Sequence, residues 1–251
     1  MSAVTAPLPA ARKQTLVFLE DARRTSHVYL MTEVDATALR AARRRAATPV
    51  SYVSYVVKAT ADVLADYPDA RAVILGGRSP KLTTSPEVHA KVLFDKTVEG
   101  QRCVVSGIVR DVQALDVTAV QSAIDLYKTA DVDDQGPFAN IKRLQRLPLP
   151  AFRAVYRTMM RNPVRRAALQ GTFAVTSIGH EQVGAILPLI TGTLGLGVGH
   201  IADAPVVRDG AVAVAPVFTL SLVFDHRVLD GAMAAEILAG IKNRLDNWEL
   251  A

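Results

Sequence analysis

The segment that most limits how this chain folds runs from Phe218 to Gly231: Phe-Thr-Leu-Ser-Leu-Val-Phe-Asp-His-Arg-Val-Leu-Asp-Gly. Phe218, Leu220, Leu222 and Phe224 fall on one face and Thr219, Ser221 and Val223 on the other, the period-two pattern of a strand. The strand delivers His226, flanked by Asp225 and Asp230, into a glycine turn. Beyond the turn, Ala234, Ile237, Leu238, Ile241 and Leu245 recur at helical spacing and predict a closing amphipathic helix. A histidine placed where rigid strand gives way to loop is the layout of a general base held in position. The same layout suits a structural histidine capped by a neighbouring acid, because buried polar groups find partners for stability alone.

Upstream, a flexible start over residues 1–10 gives way to a helical or turn segment at Ala11-Arg12, then a strand over 28–34. A very basic helix over 37–47 and an apolar-faced helix over 51–66, stopped by Pro68, come next. Gly76-Gly77 marks a turn. Strands are expected over 88–94 and 102–109 about Glu99-Gly100, and a helix carries Val117, Val120, Ile124 and Tyr127. Strands at 172–177, 194–199 and 217–224 follow, with a hairpin at Asp209-Gly210 and no good helix between 171 and 224. That succession favours an α+β sandwich over a doubly wound α/β fold, which needs strict alternation. With 50% hydrophobic residues in 251, the chain can bury one sizeable core, expected as a single domain over 11–251. The lone cysteine, Cys103, excludes an internal disulfide, suits a reducing cytoplasm and offers no zinc-type ligand set, so no metal is expected. No apolar run reaches the roughly 20 residues of a membrane span, and the N-terminus lacks a secretion signal.

The Asp225-His-Arg-x-x-Asp230-Gly231 pattern, entered from an apolar strand and left by a helix, resembles the signature of the 2-oxoacid dehydrogenase acyltransferase catalytic domains. Chloramphenicol acetyltransferase, with a His-x-x-x-Asp-Gly version, looks like a more distant relative. Gly171-Thr-Phe-Ala-Val-Thr-Ser-Ile-Gly179 is similar to the family's Gly-Thr-Phe-Thr-Ile-Ser-Asn-Leu-Gly strand, and Leu194-Gly-Leu-Gly-Val-Gly199 falls where the family has a glycine-bearing strand. His27-Val-Tyr-Leu-Met-Thr-Glu-Val-Asp35 resembles the family's Pro-His-Phe-x-Leu-x-x-x-Val-Asp segment. The resemblance extends from about residue 10 to 248 and implies a chloramphenicol acetyltransferase-like two-layer sandwich of mixed sheet and helices.

It also implies roles. His226 takes a proton from an acceptor as that atom attacks an acyl-CoA thioester, which requires no covalent enzyme intermediate. Thr176, where relatives carry serine, donates to the oxyanion, with Ser177 as the second candidate. Without the family pattern, Thr176 reads as an ordinary β-branched strand residue. Asp230 is expected to organise the histidine loop by pairing with Arg12, while Asp225 and Arg227 face a subunit contact. His27 lies beside the substrate channel, although on a strand entry it equally reads as structural. The family arrangement implies a homotrimer, with histidine and hydroxyl supplied by neighbouring chains.

Departures from the pattern shape the functional expectation. The catalytic resemblance begins within about a dozen residues of Met1, so no lipoyl domain is expected, and Val98–Val109 replaces the family's Asp-Gly-Leu-x-x-Pro-Val-Ile loop. The chain thus resembles free-standing O-acetyltransferases of tetronate natural-product pathways. The expectation is acetyl transfer from acetyl-CoA, as co-substrate, to a hydroxyl of a small-molecule alcohol, a tetronate-type polyketide intermediate. The alternatives are a lipoyl-dependent acyltransferase core of a 2-oxoacid dehydrogenase complex, and a non-catalytic scaffold.

Residues 141–169 read as a basic helical insertion, with Arg153, Arg157, Arg161 and Arg165 at i,i+4 spacing, broken near Pro163. This stripe is a solvated helix face, or, with Arg40, Arg43, Arg44 and Arg45, a surface attracting CoA phosphates or an acyl carrier protein, in keeping with a net charge of +5. Nucleic acid is not an expected partner, because no reading helix or aromatic platform accompanies the charge.

Overall fold

Alternating apolar residues build a sheet whose two faces have different fates. In the computed structural model, which describes residues 3, 5, 7–76, 79–98, 100–133 and 135–248, the chain runs from helix α1 (Ala10–Ala22) into strand β1 (His27–Asp35), then α2 (Thr37–Arg45) and α3 (Tyr52–Ala65). Ser51 starts α3 by accepting the Ser54 N–H at 3.2 Å, satisfying one of the helix's free donors. The hairpin β2 (Ala72–Leu75) and β3 (Lys81–Thr84) follows, then β4 (Ala90–Val98), β5 (Gln101–Val109) and α4 (Val117–Thr129), capped by Asp116. Next are α5 (Ala139–Gln145), α6 (Leu149–Arg161), α7 (Pro163–Gln170), β6 (Phe173–Ser177), β7 (Leu194–Val198), β8 (Ala202–Arg208), β9 (Ala211–Asp225) and α8 (Gly231–Asp246). Met1, Ser2, Val4 and Ala6, on which part of the expectation of a flexible start falls, lie outside the described residues, as do Gly77 and Glu99.

Seven strands form one mixed sheet in the order β1-β9-β7-β6-β4-β5, with β8 also paired to β9. The β4–β6 and β6–β7 ladders are parallel and the others antiparallel. Val28, Leu30 and Val34 of β1, Phe218, Leu220, Leu222 and Phe224 of β9, Leu194 and Leu196 of β7, Phe173 and Val175 of β6, and Val92 of β4 enter one core with α3 and α8. Burying each large side chain contributes about 1.5–3 kcal/mol, so this face fixes the register. The expected α+β sandwich of mixed sheet and helices is the architecture observed. At the tip of the β8–β9 hairpin, Asp209 and Gly210 have φ of 49° and 78°, the two positive values that a tight two-residue turn demands.

The strand ends follow the sequence reading to within a residue or two, except that β4 runs four residues further, to Val98, and β9 begins six residues earlier, at Ala211. The β2–β3 hairpin was not expected beyond a turn: its strands are four residues each and lack clear alternation. In the basic region the chain is helical to Arg161 and restarts at Pro163. No helix among the described residues is long and apolar enough to cross a membrane.

Candidate active site

His226 leaves the end of β9 on a turn tied down at every step. Its N–H donates to the Ser26 carbonyl (2.9 Å), and the N–H groups of Val228 and Leu229 donate to the Asp225 carbonyl (2.9 and 3.1 Å). Leu229, 1% exposed, plugs the turn into the core. The imidazole lies against the Phe224 ring, 5.5 Å between centroids, and 45% of the side chain is open to solvent. A rigid backbone thus presents an accessible ring, the combination a proton acceptor needs.

Two carboxylates flank it in unlike environments. Asp230 precedes α8, makes no cap with its side chain, is 91% exposed, and holds Oδ1 3.8 Å from His226 Nδ1. That separation is an ion-pair distance rather than a hydrogen bond. Asp225 is 4% exposed. It accepts from the N–H groups of Ser26 (3.3 Å) and Arg227 (3.1 Å), from Arg227 Nε (2.9 and 3.1 Å) and from Arg227 Nη2 (2.6 Å). Burial pushes its carboxyl up, but the Arg227 side chain, the Arg227 N–H and the Ser26 N–H together hold it below its ordinary range.

These contacts correct one expectation. Asp230 does not pair with Arg12 in the chain: Arg12 is exposed on α1, where its charge acts on Cys103 of β5, at the opposite edge of the sheet from β1 and β9. Within the chain the carboxylate that holds the histidine loop is Asp225, buried against the N–H groups of Ser26 and Arg227, with the Arg227 guanidinium folded back onto it. A backbone N–H pair converging on a carboxylate leaves no trace in a linear pattern.

Thr176 sits in β6 opposite Gly197 of β7, which in turn faces Ser221 of β9. Phe173 and Val175 enter the core, so Thr176 projects from the other, outer face. Its hydroxyl makes no hydrogen bond among the described residues. Ser177, the second candidate donor, points to the opposite face from Thr176, and its Oγ accepts the Gly179 N–H at 3.2 Å. The pleat therefore keeps these neighbours from serving one centre. His226 lies five residues beyond Ser221, roughly 16 Å along the strand and two strands across, so one chain does not bring Thr176 and His226 together.

The segment 178–193 crosses the outer face, and the glycines of β7 make room for it. A Cβ on Gly195 would lie 2.5 Å from Ile190 Cγ2, and one on Gly197 would collide with the Ile186 carbonyl and with Ser221 Oγ. Ser221 Oγ donates to that same carbonyl. His27, beside Asp225 in the β1–β9 register, anchors the segment's far end. Its Nε2 lies 3.0 Å from the Ile190 carbonyl and 3.1 Å from the Ile190 N–H, able to donate to the first or accept from the second. The ring expected beside the channel is thus engaged by the protein.

The basic surfaces are partly neutralised. Arg40 pairs with Asp203 at 2.9 Å, Arg43 donates to the Val50 carbonyl at 2.7 Å and stacks on Tyr52, and Arg153 grips Glu20. Arg40, Arg43, Arg44 and Tyr52 line a cleft of about 340 Å³ at the end of β1 remote from His226. Glu87, His89 and Asp111 bring potential ligand atoms within 4.8 Å. The imidazole is already used: Nδ1 accepts the Asp111 N–H at 3.0 Å and Nε2 faces Glu87 at 3.2 Å.

Residues 2–134 and 152–251 match the family described as 2-oxoacid dehydrogenases acyltransferase (catalytic domain). The unmatched stretch, 135–151, overlaps the basic segment 141–169 only at its start. The chain is 28% identical to the dihydrolipoyllysine-residue acetyltransferase component of the pyruvate dehydrogenase complex of Staphylococcus aureus, over 98% of this chain and 52% of that protein. A relative of the same description from Staphylococcus epidermidis is equally similar. The chain spans about half the length of these curated relatives. Among solved structures, a probable dihydrolipoamide acetyltransferase from Listeria monocytogenes superposes with a TM-score of 0.73 at 20% identity, covering 99% of this chain and 98% of that one. A chloramphenicol acetyltransferase gives 0.54 at 12%, covering 98% and 99%.

Proposed function

The chain belongs to the 2-oxoacid dehydrogenase acyltransferase family, and from that premise we propose that it moves an acyl group between coenzyme A and a thiol of a dihydrolipoyl group. The observation that carries this reading is His226, half-open to solvent on a turn locked by Ser26, Asp225 and Leu229.

Neutral His226 takes the proton of the attacking thiol, and the sulfur adds to the thioester carbonyl. The carbonyl oxygen becomes an oxyanion, to which Thr176 of an adjoining copy donates. Collapse expels the other thiolate, which recovers the proton from the imidazolium. Asp230, 3.8 Å from Nδ1, stabilises the imidazolium electrostatically. A preset oxyanion donor is worth about 3 kcal/mol of barrier.

A second copy is part of the proposal because Thr176 and His226 stand apart in one chain. Tyr29 and Met31 on β1, with Leu187 and Leu189 on the crossing segment, leave apolar side chains exposed at 36–58%, a surface suited to another protomer. The family arrangement makes that assembly a trimer.

The hydroxyl acceptor, and the tetronate-type alcohol in particular, gains no support from the relatives, whose descriptions specify a dihydrolipoyllysine residue. Coenzyme A thioesters remain the proposed donors, acetyl-CoA the first to test. Purified protein is to be given acetyl-CoA with dihydrolipoamide or with a hydroxymethyl tetronate, and release of free CoA followed. Acetylation of the dithiol is expected. Release with the alcohol alone would return the reading to O-acetylation, and release with neither would leave the scaffold reading.

A further inference from the structure

Two cations meet on the outer face of the sheet without a carboxylate between them. Lys91 faces Ala174 across the β4–β6 ladder, and its neighbours Ala90 and Val92 enter the core, so its side chain leaves the other way. There it runs under α1 and α7, with Nζ 5.1 Å from the Phe18 ring centroid and donating to Gln170 Oε1. Arg166 of α7 donates through Nη2 to the Thr191 carbonyl, while its Nε is buried with no partner. Both contacts are to neutral carbonyl oxygens. Asp21, the acid of this neighbourhood, instead accepts from the Tyr156 hydroxyl at 3.2 Å, and Tyr156 in turn accepts from Gln170 Nε2 at 3.2 Å. Among the described residues no carboxylate lies within ion-pair distance of Lys91 or Arg166.

Both side chains are half-buried, and a charge taken even partly out of water is ordinarily paired, because desolvating it alone is costly. Burial first, and the charge of Arg166 second, push the Lys91 ammonium down to about 8. An anion placed between the two would relieve both costs and give Arg166 Nε an acceptor.

We propose that Lys91 and Arg166 form a recognition point for an anionic group of the substrate, a carboxylate or an acidic enol. The proposal rests on the acyl-transfer reading above and narrows its substrate class. Thr176 follows Ala174 by two residues on the same face, so the cations lie on the order of 10 Å from the oxyanion donor. The phosphates of coenzyme A sit beyond the pantetheine arm, outside that reach. The anion therefore belongs to the acyl group or to the acceptor.

Two matched pairs of ligands separate those sources, with the full chain titrated calorimetrically. Succinyl-CoA against butyryl-CoA places the charge on the acyl group, and dihydrolipoate against dihydrolipoamide places it on the acceptor. In one pair the anionic member is expected to bind at least tenfold more tightly to the wild type. K91M and R166Q should each shrink that preference to within about threefold, while K91R retains it; circular dichroism verifies that each variant is folded. Equal binding within both pairs, or discrimination that survives K91M, overturns the proposal and leaves the two side chains as clamps between α7 and the sheet. Turnover of acetyl-CoA with dihydrolipoamide is measured alongside: discrimination without turnover sinks the acyl-transfer reading alone, and turnover without discrimination sinks this proposal alone.

Discussion

Arg227 folds back on Asp225, meeting the buried carboxylate with its backbone N–H at 3.1 Å and with its guanidinium at 2.6–3.1 Å. The residue between them is His226, so this clasp holds the turn that presents the imidazole. Asp225→Asn keeps the shape but removes the charge, and is expected to cost about 1–3 kcal/mol, the loss of a charge-assisted set. Because the folded-state carboxyl is held below its unfolded value of about 3.9, its stabilisation is complete above that value and lost as pH falls through the folded one. Thermal midpoints of wild type and D225N, recorded from pH 7 to pH 3, should converge toward the acid end. A constant gap would rule the clasp out as an electrostatic device.

Replacing His226 by Ala should lower turnover at least about 100-fold, the lower end of what a general base contributes. The melting temperature should hardly move, because the ring is half-exposed and Leu229 supplies the anchoring contact. Steady-state rates beside a thermal melt decide this.

Thr176→Ser retains the hydroxyl and should stay within a few-fold of wild type, whereas Thr176→Ala should lose about 10²–10³ in kcat, the usual cost of an oxyanion donor. Equal losses in both variants would mean that the methyl, not the hydroxyl, matters.

Coexpression offers a sharper test of the shared site. H226A and T176A should each be about 100-fold or more below wild type, yet mixed oligomers of the two should regain part of the activity. Regain is expected because some interfaces then join an intact His226 to an intact Thr176. Persistent inactivity in verified mixed oligomers would place both groups in one chain's site.

Gly197→Ala puts a Cβ against the Ile186 carbonyl and Ser221 Oγ. The backbone of 178–193 must then lift, with an expected cost of about 1–3 kcal/mol from overpacking and a loss of activity out of proportion to it. Limited proteolysis within this segment, compared between variant and wild type, reports the displacement.

Lys91 sets a stability test independent of ligands. Its ammonium is held at about 8 in the folded chain against 10.5 unperturbed. The unfolded chain therefore binds more protons between those values, and stability should rise with pH across that window. Lys91→Met should melt higher than wild type at pH 7 by roughly 2–6 °C, with the gap closing toward pH 10.

Much of this chain was legible as linear pattern. The alternation from Phe218 to Phe224, the helical spacing from Ala234 to Leu245 and the Asp209-Gly210 turn each encode an interaction with residues nearby in sequence. They therefore determined the elements, the sandwich and the position of His226 at a strand's end. Tertiary structure alone decided which acid organises the histidine, because Asp225 is selected by N–H groups from Ser26 and Arg227 rather than by its own spacing. It also sent Arg12 to the far edge, and gathered Lys91, Arg166 and Tyr156 from segments up to 75 positions apart. The physical reason is the strand order: β1, β9, β7, β6, β4 and β5 lie side by side although the chain does not visit them in that sequence, and a side chain's neighbours across a ladder are fixed by register, which burial of the common core enforces.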